Sequence, residues 1–415
     1  MTGPEAARRL LASSALRRVG QVFGCGDVFL TGGSLRDRLL SLPTHDLDIT
    51  VNGDAQRAAA ALATMVGGRF FPLGRPPLAT WRVAGGRIQV DVWGITDGIE
   101  KDILRRDFTV NALVWRLPRG PLLDLVGGLE DLEAGRIRVV RPENLIDDPL
   151  RVLRGLRLLA SHPQLRLTAE TECHLRAAVR HLPGVAHERV CDELRKLLAG
   201  DAAARAIVAG ERLGVLPLLF PAWEGFRHGA DLARLAGALQ QLRRVPRRSL
   251  SLGAAEVAPA ILAAPSGGLP GEWQCAVAAA ALVAVGWPPR AAQRSVEAAA
   301  FGERFLDLID RDTAGSRRLA IEAGDLAEPA LAWAVARGNL TGVSLEAPAR
   351  SLLRWLRRFA ARPPLLAGDE VADLLGLPPD ASRGEAVSAL RAARARGEVR
   401  TPGQARRFLL RRLLR

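Results

Sequence analysis

Tyrosine is absent from the 415 residues, and aromatic residues of all kinds make up 5%. Proteins that grip nucleic acid by stacking bases need such rings, so any polyanion bound here is held mainly through its phosphates. Lysine is nearly missing as well: Lys101 and Lys196 stand alone, and arginine supplies the rest of the 58 basic side chains. Set against 44 acidic residues, they leave a net charge of +14, which favours a polyanionic partner. The four cysteines, Cys25, Cys173, Cys191 and Cys275, are scattered, with no C-x-x-C pair and no histidine at zinc spacing. That pattern excludes a disulfide scaffold and a structural zinc site, and the thiols are expected to be reduced core residues of a cytoplasmic protein. No apolar signal core stands in M-T-G-P-E-A-A-R-R-L, and the longest apolar run, Cys275 to Val285, is too short to cross about 30 Å of hydrocarbon. Neither export nor membrane insertion is expected, and no fixed-period repeat is present.

Apolar residues make up 48% of the chain, ample for burial, and one core rarely serves more than roughly 250 residues, so two to four domains are expected. Residues 1 to about 24 read as an amphipathic helix. Strand patterns then alternate with helical ones as far as Ile137-Arg138-Val139-Val140. From about Ile146 onward strand patterns vanish, and helix follows helix with proline and glycine as punctuation. The architecture read from this is a mixed α/β head followed by a long helical body.

The head is organised around V-F-L-T-G-G-S-L-R-D-R-L-L-S-L-P-T-H-D-L-D-I-T-V-N-G, residues 28–53. Val28, Phe29 and Leu30 form a buried strand, and Gly32-Gly33 opens a helix beginning at Ser34 and carrying Arg36 and Asp37. Paired glycines let backbone amides approach a ligand closely, and the positive end of a helix favours an anion there. In the next strand, alternation puts Asp46 and Asp48 on one face and Leu47, Ile49 and Val51 on the other. Adjacent carboxylates repel unless a cation lies between them, and hard oxygen ligands suit Mg²⁺. A glycine cradle beside a D-x-D strand is the minimum equipment for nucleotidyl transfer; the same residues are also compatible with a turn and an edge strand of solvated aspartates. Asp91, in I-Q-V-D-V-W, completes a carboxylate trio if its strand neighbours the D-x-D strand, and is otherwise an exposed strand residue.

Two later constellations carry polar chemistry. In Arg105-Arg106-Asp107-Phe108-Thr109-Val110-Asn111-Ala112, the poor helix formers Thr109 and Asn111 stand at the head of a helix, where they cap it or contact a ligand. In D-D-P-L-R-V-L-R-G-L-R, residues 147–157, Asp148, Arg151 and Arg154 recur every three positions and project from nearby faces of one helix. A carboxylate and a guanidinium held this way can pair with the edge of cytosine or adenine and refuse uracil and guanine. A solvated salt-bridge face has the same spacing.

Taken in order, G-G-S-L-R-D with D-L-D, R-R-D-F-T-V-N-A and D-D-P-L-R-V-L-R-G-L-R resemble the motifs of the class II tRNA nucleotidyltransferase and bacterial poly(A) polymerase family. H-E-R-V-C-D-E-L-R-K-L-L resembles its neck helix, and P-L-L-A-G-D-E-V-A-D-L-L-G-L-P-P with R-G-E-V-R-T-P-G-Q-A resembles the end of many members. The resemblance implies an α+β fold: a mixed-sheet, polymerase beta-like head at 1–140, then a helical neck at 141–200, a body at 201–362 and a tRNA-binding tail at 363–415. Asp46 and Asp48 would bind the metal, with Asp91 beside them as a third catalytic carboxylate. Gly32, Gly33 and Arg36 would meet the nucleotide phosphates, Arg106, Asp107 and Asn111 phosphate and ribose, and Asp148, Arg151, Arg154 and Arg157 the incoming base. Also implied are Mg²⁺ as the metal, CTP as substrate with ATP left open, and a tRNA 3′ end as primer; the sequence shows no sign of an obligate protein partner. Two alternatives stay open: a poly(A) polymerase, and a non-catalytic RNA-binding protein with a retired head. The chain departs from the family in carrying Asp147 where glutamate is usual. It also has only G-I-T-D-G-I-E-K-D-I-L between Trp93 and Arg105, where CCA-adding members carry a long flexible loop. Members that add only two cytidines have it shortened.

Overall fold

The computed structural model describes Val19 and residues 28–44, 46–73, 80–85, 88–117, 120–220, 226–244, 250–263, 272–376 and 381–413. The helix expected over residues 1–24 lies outside these, apart from Val19, which is buried. The chain divides into two compact units, Met1–Val185 and Ala186–Arg415.

In the first unit, seven strands form one mixed sheet in the order β3-β4-β5-β2-β1-β6-β7. They are β1 (Val28–Thr31), β2 (Asp46–Asn52), β3 (Arg69–Leu73), β4 (Thr80–Gly85), β5 (Ile88–Ile95), β6 (Val114–Arg116) and β7 (Leu122–Leu123). β2 and β5 run parallel and every other pair is antiparallel. All four residues of β1 are buried, as an uninterrupted apolar run in a central strand requires. Helix α1 (Gly32–Leu39) follows β1 directly and so starts at the first glycine, two residues before the expected Ser34. Helix α2 (Ala55–Val66) returns the chain to the sheet; Asp54 caps it by accepting from the Gln56 and Arg57 amides, and Gly67 ends it in the left-handed region. Helix α3 (Ile99–Leu104) packs Ile99 and Ile103 with Phe29, Ile95, Ala112 and Val114 into a core cluster under the sheet.

Beyond the sheet come α4 (Gly128–Glu133), β8 (Arg136–Ile137), α5 (Glu143–Asp147), α6 (Leu150–Ser161), β9 (Arg166–Leu167) and α7 (Ala169–Ala178). β8 and β9 pair in parallel, so strand structure continues past residue 140, against expectation. Two residues per strand are too few for an alternation signal to register in a sequence. Gly155 lets α6 lie hard against Phe108, because a Cβ there would stand 2.8 Å from the ring. Of the three described cysteines, Cys191 and Cys275 are buried; Cys173 is exposed on α7, not in the core as expected.

Helices are the only regular structure among the described residues of the second unit. Its centre is the helix Ala327–Leu340, buried over most of its length, with Trp333 donating its indole N–H to Glu303 at 2.7 Å. At the end of the chain, Leu366, Val371, Leu390, Ala393, Val399, Ala405 and Leu409 close a small core of their own. No described helix is long and apolar enough to cross a membrane.

Candidate nucleotide site

The backbone at position 32 calls for glycine, and a side chain there would crowd two others. Its φ is +68°, and a Cβ would stand 3.3 Å from Asp48 Oδ2 and 3.4 Å from an Arg106 terminal nitrogen. The turn therefore brings the D-x-D strand and the R-R-D segment against one stretch of backbone. The Ser34 amide donates to Asp48 Oδ2 at 3.1 Å, and Ser34 Oγ accepts from the Asp48 amide at 2.9 Å. Part of the helix opening is thus filled by the protein's own carboxylate. Asp46 is exposed at the start of β2, Asp48 is half-buried, and Leu47, Ile49 and Val51 are buried, as alternation requires.

Asp91 stands directly opposite Asp48 in the parallel β2–β5 register. Both its oxygens are already engaged: Arg82, its register partner on β4, donates Nε and a terminal nitrogen to them, each at 2.8 Å. The hydrogen bonds that Arg82 donates to Asp91 and the charges of Asp91, Asp46 and Asp48 push its guanidinium up. Burial pushes the Asp48 carboxyl above the ordinary carboxylate range; the Ser34 amide opposes this, the Asp91 charge adds to it, and Arg106 opposes it. Among the described residues no group of three His, Cys, Asp or Glu side chains is placed to hold a metal ion. What fits a divalent cation is the Asp46–Asp48 pair: two hard donors on one strand face, one of them destabilised as an anion until a cation arrives.

Thr109–Asn111 forms a single 3₁₀ turn and not the head of an α-helix, because its side chains are committed elsewhere. Thr109 Oγ1 donates to the buried Asp131 at 2.6 Å, and Asn111 Nδ2 donates to Asp107 Oδ1 at 3.0 Å. Arg106 is gripped by Asp102 at 2.6 Å and donates to the Asn111 carbonyl at 3.1 Å. Asp107 is 4% exposed; its Oδ1 also accepts the Phe108 amide at 2.8 Å, and its Oδ2 lies 3.0 Å from Arg154 Nε. Burial raises the Asp107 carboxyl, but the Arg154 charge, the Asn111 and Phe108 hydrogen bonds and the Arg151 charge outweigh it and hold the group below its ordinary value.

That lowered value makes Asp107 a stabilising anion at neutral pH, and its contribution is lost as pH falls through the ordinary carboxylate range and below it. Asp107→Asn is expected to cost about 1–3 kcal/mol at pH 7. In unfolding measured across a pH series, the gap between variant and wild type should shrink toward acid; a constant gap would show that the charge is not what stabilises.

Asp148 does not share the helix of Arg151, Arg154 and Arg157. Pro149 disfavours helical geometry at the residue before it, so Asp148 ends α5 in an extended conformation (φ −137°, ψ 90°). Its carbonyl still accepts from the Arg151 amide at 3.0 Å, which keeps the two residues together at the foot of α6. Arg151, Arg154 and Arg157 follow half-buried along one face of α6. Two contributors carry no motif and were missed. Asn144, buried in α5, donates to the Leu104 and Arg106 carbonyls at 2.9 and 2.8 Å, and its carbonyl accepts from Arg151 at 2.9 Å. His162, just past α6, meets Asp37 at 2.9 Å. An asparagine three positions before the D-D-P signature was the only local trace of the first, and its burial is a property of the fold; nothing local marks the second.

The chain matches the family described as "Poly A polymerase head domain" over residues 77–138 and "Probable RNA and SrmB- binding site of polymerase A" over residues 164–226. It is 34% identical to the A-adding tRNA nucleotidyltransferase of Deinococcus radiodurans, covering 92% of this chain and 94% of that one. It is 32% identical to the CC-adding tRNA nucleotidyltransferase of Thermus thermophilus, over 92% and 93%. Among solved structures, the Bacillus stearothermophilus CCA-adding enzyme in complex with CTP has a TM-score of 0.69 at 22% identity, covering 98% of this chain and 97% of that one. The Thermotoga maritima CCA-adding enzyme complexed with tRNA has a TM-score of 0.65 at 20% identity, over 100% and 99%. These two show the fold, and the full-length relatives above 30% identity show the family: the chain belongs to the tRNA nucleotidyltransferases.

Proposed function

We propose that this protein adds two CMP residues to the 3′ end of tRNA without a nucleic-acid template, in the cytoplasm and with Mg²⁺ as its metal. The observation that carries the reading is the glycine turn: Asp48 and an Arg106 terminal nitrogen both lie within 3.4 Å of where a Gly32 Cβ would stand, and Asp48 accepts the Ser34 amide at the opening of α1. Asp46 and Asp48 would hold Mg²⁺, with Asp91, kept by Arg82, as the neighbouring charge. Bound there, the metal supplies Lewis-acid chemistry: it lowers the pKa of the attacking hydroxyl and neutralises the departing pyrophosphate. The Gly33 backbone, Arg36 and Arg106 bind the triphosphate, and Asp107 and Asn111 order the ribose. Asp148 accepts the exocyclic amino group of the base while Arg151 donates to its ring, with Arg154 and Arg157 behind them. The tRNA 3′ oxygen then attacks the α-phosphorus, a new P–O bond forms, and the α–β bridge breaks to release pyrophosphate.

The division into head (1–140), neck (141–200), body (201–362) and tail (363–415) is part of the same reading. Arg406, Arg407 and Arg411, exposed on the last helix above its own small core, support the tail as a phosphate-binding surface. Arg243 does not belong to that grip: its guanidinium turns inward and donates to the Leu198 and Ala254 carbonyls at 3.1 and 3.2 Å. Arg244 pairs at the surface with Asp201 at 3.1 Å; Arg247 and Arg248 lie outside the described residues.

Stopping after two additions rests on the connection from β5 to α3. Switching from CTP to ATP requires the base-reading pair to shift, and a long loop at this place is the lever in CCA-adding members. Here β5 runs to Ile95 and α3 begins at Ile99, leaving only Thr96, Asp97 and Gly98 between them. A tRNA ending at its discriminator base, given CTP and ATP together, should gain two nucleotides and stop. Efficient addition of a third would show that the short link is lever enough. A second reading, addition of the terminal AMP alone, is favoured by the Deinococcus relative; it predicts no growth of that substrate and growth of one ending in CC.

A further inference from the structure

His162 lies outside every motif, yet it closes a ring of buried and half-buried polar side chains within the first unit. Its Nε2 meets Asp37 Oδ1 at 2.9 Å, and the same oxygen accepts Arg36 Nε at 2.7 Å. Arg36, 7% exposed, donates a terminal nitrogen to Asn111 Oδ1. Asn111 donates to Asp107, and Asp107 pairs with Arg154 of α6. The ring thus leaves α6 at Arg154 and rejoins its end at His162, about 12 Å farther along the helix at 1.5 Å per residue. Its other side is the phosphate-facing helix α1, where Arg36 lies against Gly33, 3.3 Å from where a Cβ would be. Asp37 sits below the ordinary carboxylate range: burial raises it, and the His162 hydrogen bond, the charges of Arg36 and His162 and the Arg36 hydrogen bond together outweigh that rise.

A helix fastened at one point can pivot, whereas one fastened at two points eight residues apart holds a fixed angle. We infer that His162 is a positioning residue for nucleotide choice, holding α6 in register with α1 through Asp37 and Arg36 so that the base edge and the triphosphate are read at one fixed separation. The inference rests on the nucleotidyltransferase reading. Loss of the link takes from Asp37 the partner that ties it to the end of α6, so the Arg36–Asp37 pair of α1 and the end of α6 no longer hold one spacing; this weakens nucleotide binding and blurs the distinction between a pyrimidine and a purine, which differ in depth in the pocket.

The test compares CTP and ATP binding to the full chain by equilibrium dialysis for wild type, His162→Leu, His162→Gln and Asp37→Asn. Because a hydrogen bond to a charged group is lost, His162→Leu should weaken CTP binding about tenfold and narrow the preference for CTP over ATP. Glutamine keeps a donor at similar reach, so His162→Gln should stay within about threefold of wild type. Folded His162→Leu with wild-type affinity and preference overturns the inference, as does His162→Gln as damaged as leucine, which would make the ring a packing element only. Should His162→Leu fail to fold, the contrast passes to His162→Gln and Asp37→Asn. Preference kept in the first and lost in the second supports the role; preference kept in both overturns it. A wild-type chain that binds CTP but extends no tRNA end sinks the functional reading and leaves this binding comparison intact.

Discussion

Replacing Asp46 and Asp48 together by alanine should abolish nucleotide addition, by about 10³-fold or more in kcat, while the head stays folded. Stabilisation of transition-state charge by a divalent ion is worth several kcal/mol, and each 1.36 kcal/mol is a factor of ten in rate. Neither side chain belongs to the apolar core: Asp46 is exposed, and Asp48 is bound mainly through Ser34, whose amide it satisfies. Asp48→Ala leaves that amide without its acceptor, which makes Asp46→Ala the cleaner single variant. Incorporation of CMP at near wild-type rate by the folded double variant would remove these residues from the chemistry. Asp91→Ala should instead act through Arg82, whose guanidinium would be left facing Asp46 and Asp48 and would compete with a divalent ion for them.

The second large effect is on which nucleotide is used. Asp148→Ala and Arg151→Ala should each reduce the preference for CTP over UTP by about 10- to 100-fold, the value of one good polar pair to a base edge. Cytosine presents a donor where uracil presents an acceptor, so the loss falls on discrimination more than on rate. Arg151→Lys should not rescue it, because an ammonium lacks the planar fork and cannot keep the contact with the Asn144 carbonyl in the same geometry. Single-turnover extension with each triphosphate measures both, and an unchanged CTP/UTP ratio in Asp148→Ala would exclude this carboxylate from base reading.

Much of this was legible in the sequence because it is local. Val28–Leu30 announced a central strand by being apolar without interruption, and D-L-D-I-T-V announced a half-buried one by alternating. The three motifs that organise the site were visible for the same reason, each spanning seventeen residues or fewer. Asp148 was misplaced on α6 although Pro149 was in view; three-residue spacing was allowed to outweigh proline's effect on the residue before it. Thr109 and Asn111 were read as a helix start because their partners, Asp131 and Asp107, belong to tertiary structure. Arg82 opposite Asp91, Asn144 on the Leu104 and Arg106 carbonyls, and His162 on Asp37, 125 positions away, are contacts that only strand register and packing create. Arg243 stands in no motif, and the packing of the second unit turns it inward to donate to the Leu198 carbonyl near the end of the helix His187–Ala199.

The most direct measurement of the central claim is extension of a tRNA ending at its discriminator base by the purified chain, with Mg²⁺ and each nucleoside triphosphate supplied separately, resolved to single nucleotides. The account predicts growth by two residues with CTP and none with ATP, UTP or GTP. A long tail built from ATP on tRNA and unrelated RNA alike would make the protein a poly(A) polymerase; no growth of this tRNA but one AMP added to a tRNA ending in CC would make it an A-adding enzyme; and no growth of either, with RNA still bound, would leave an RNA-binding protein whose head no longer reacts.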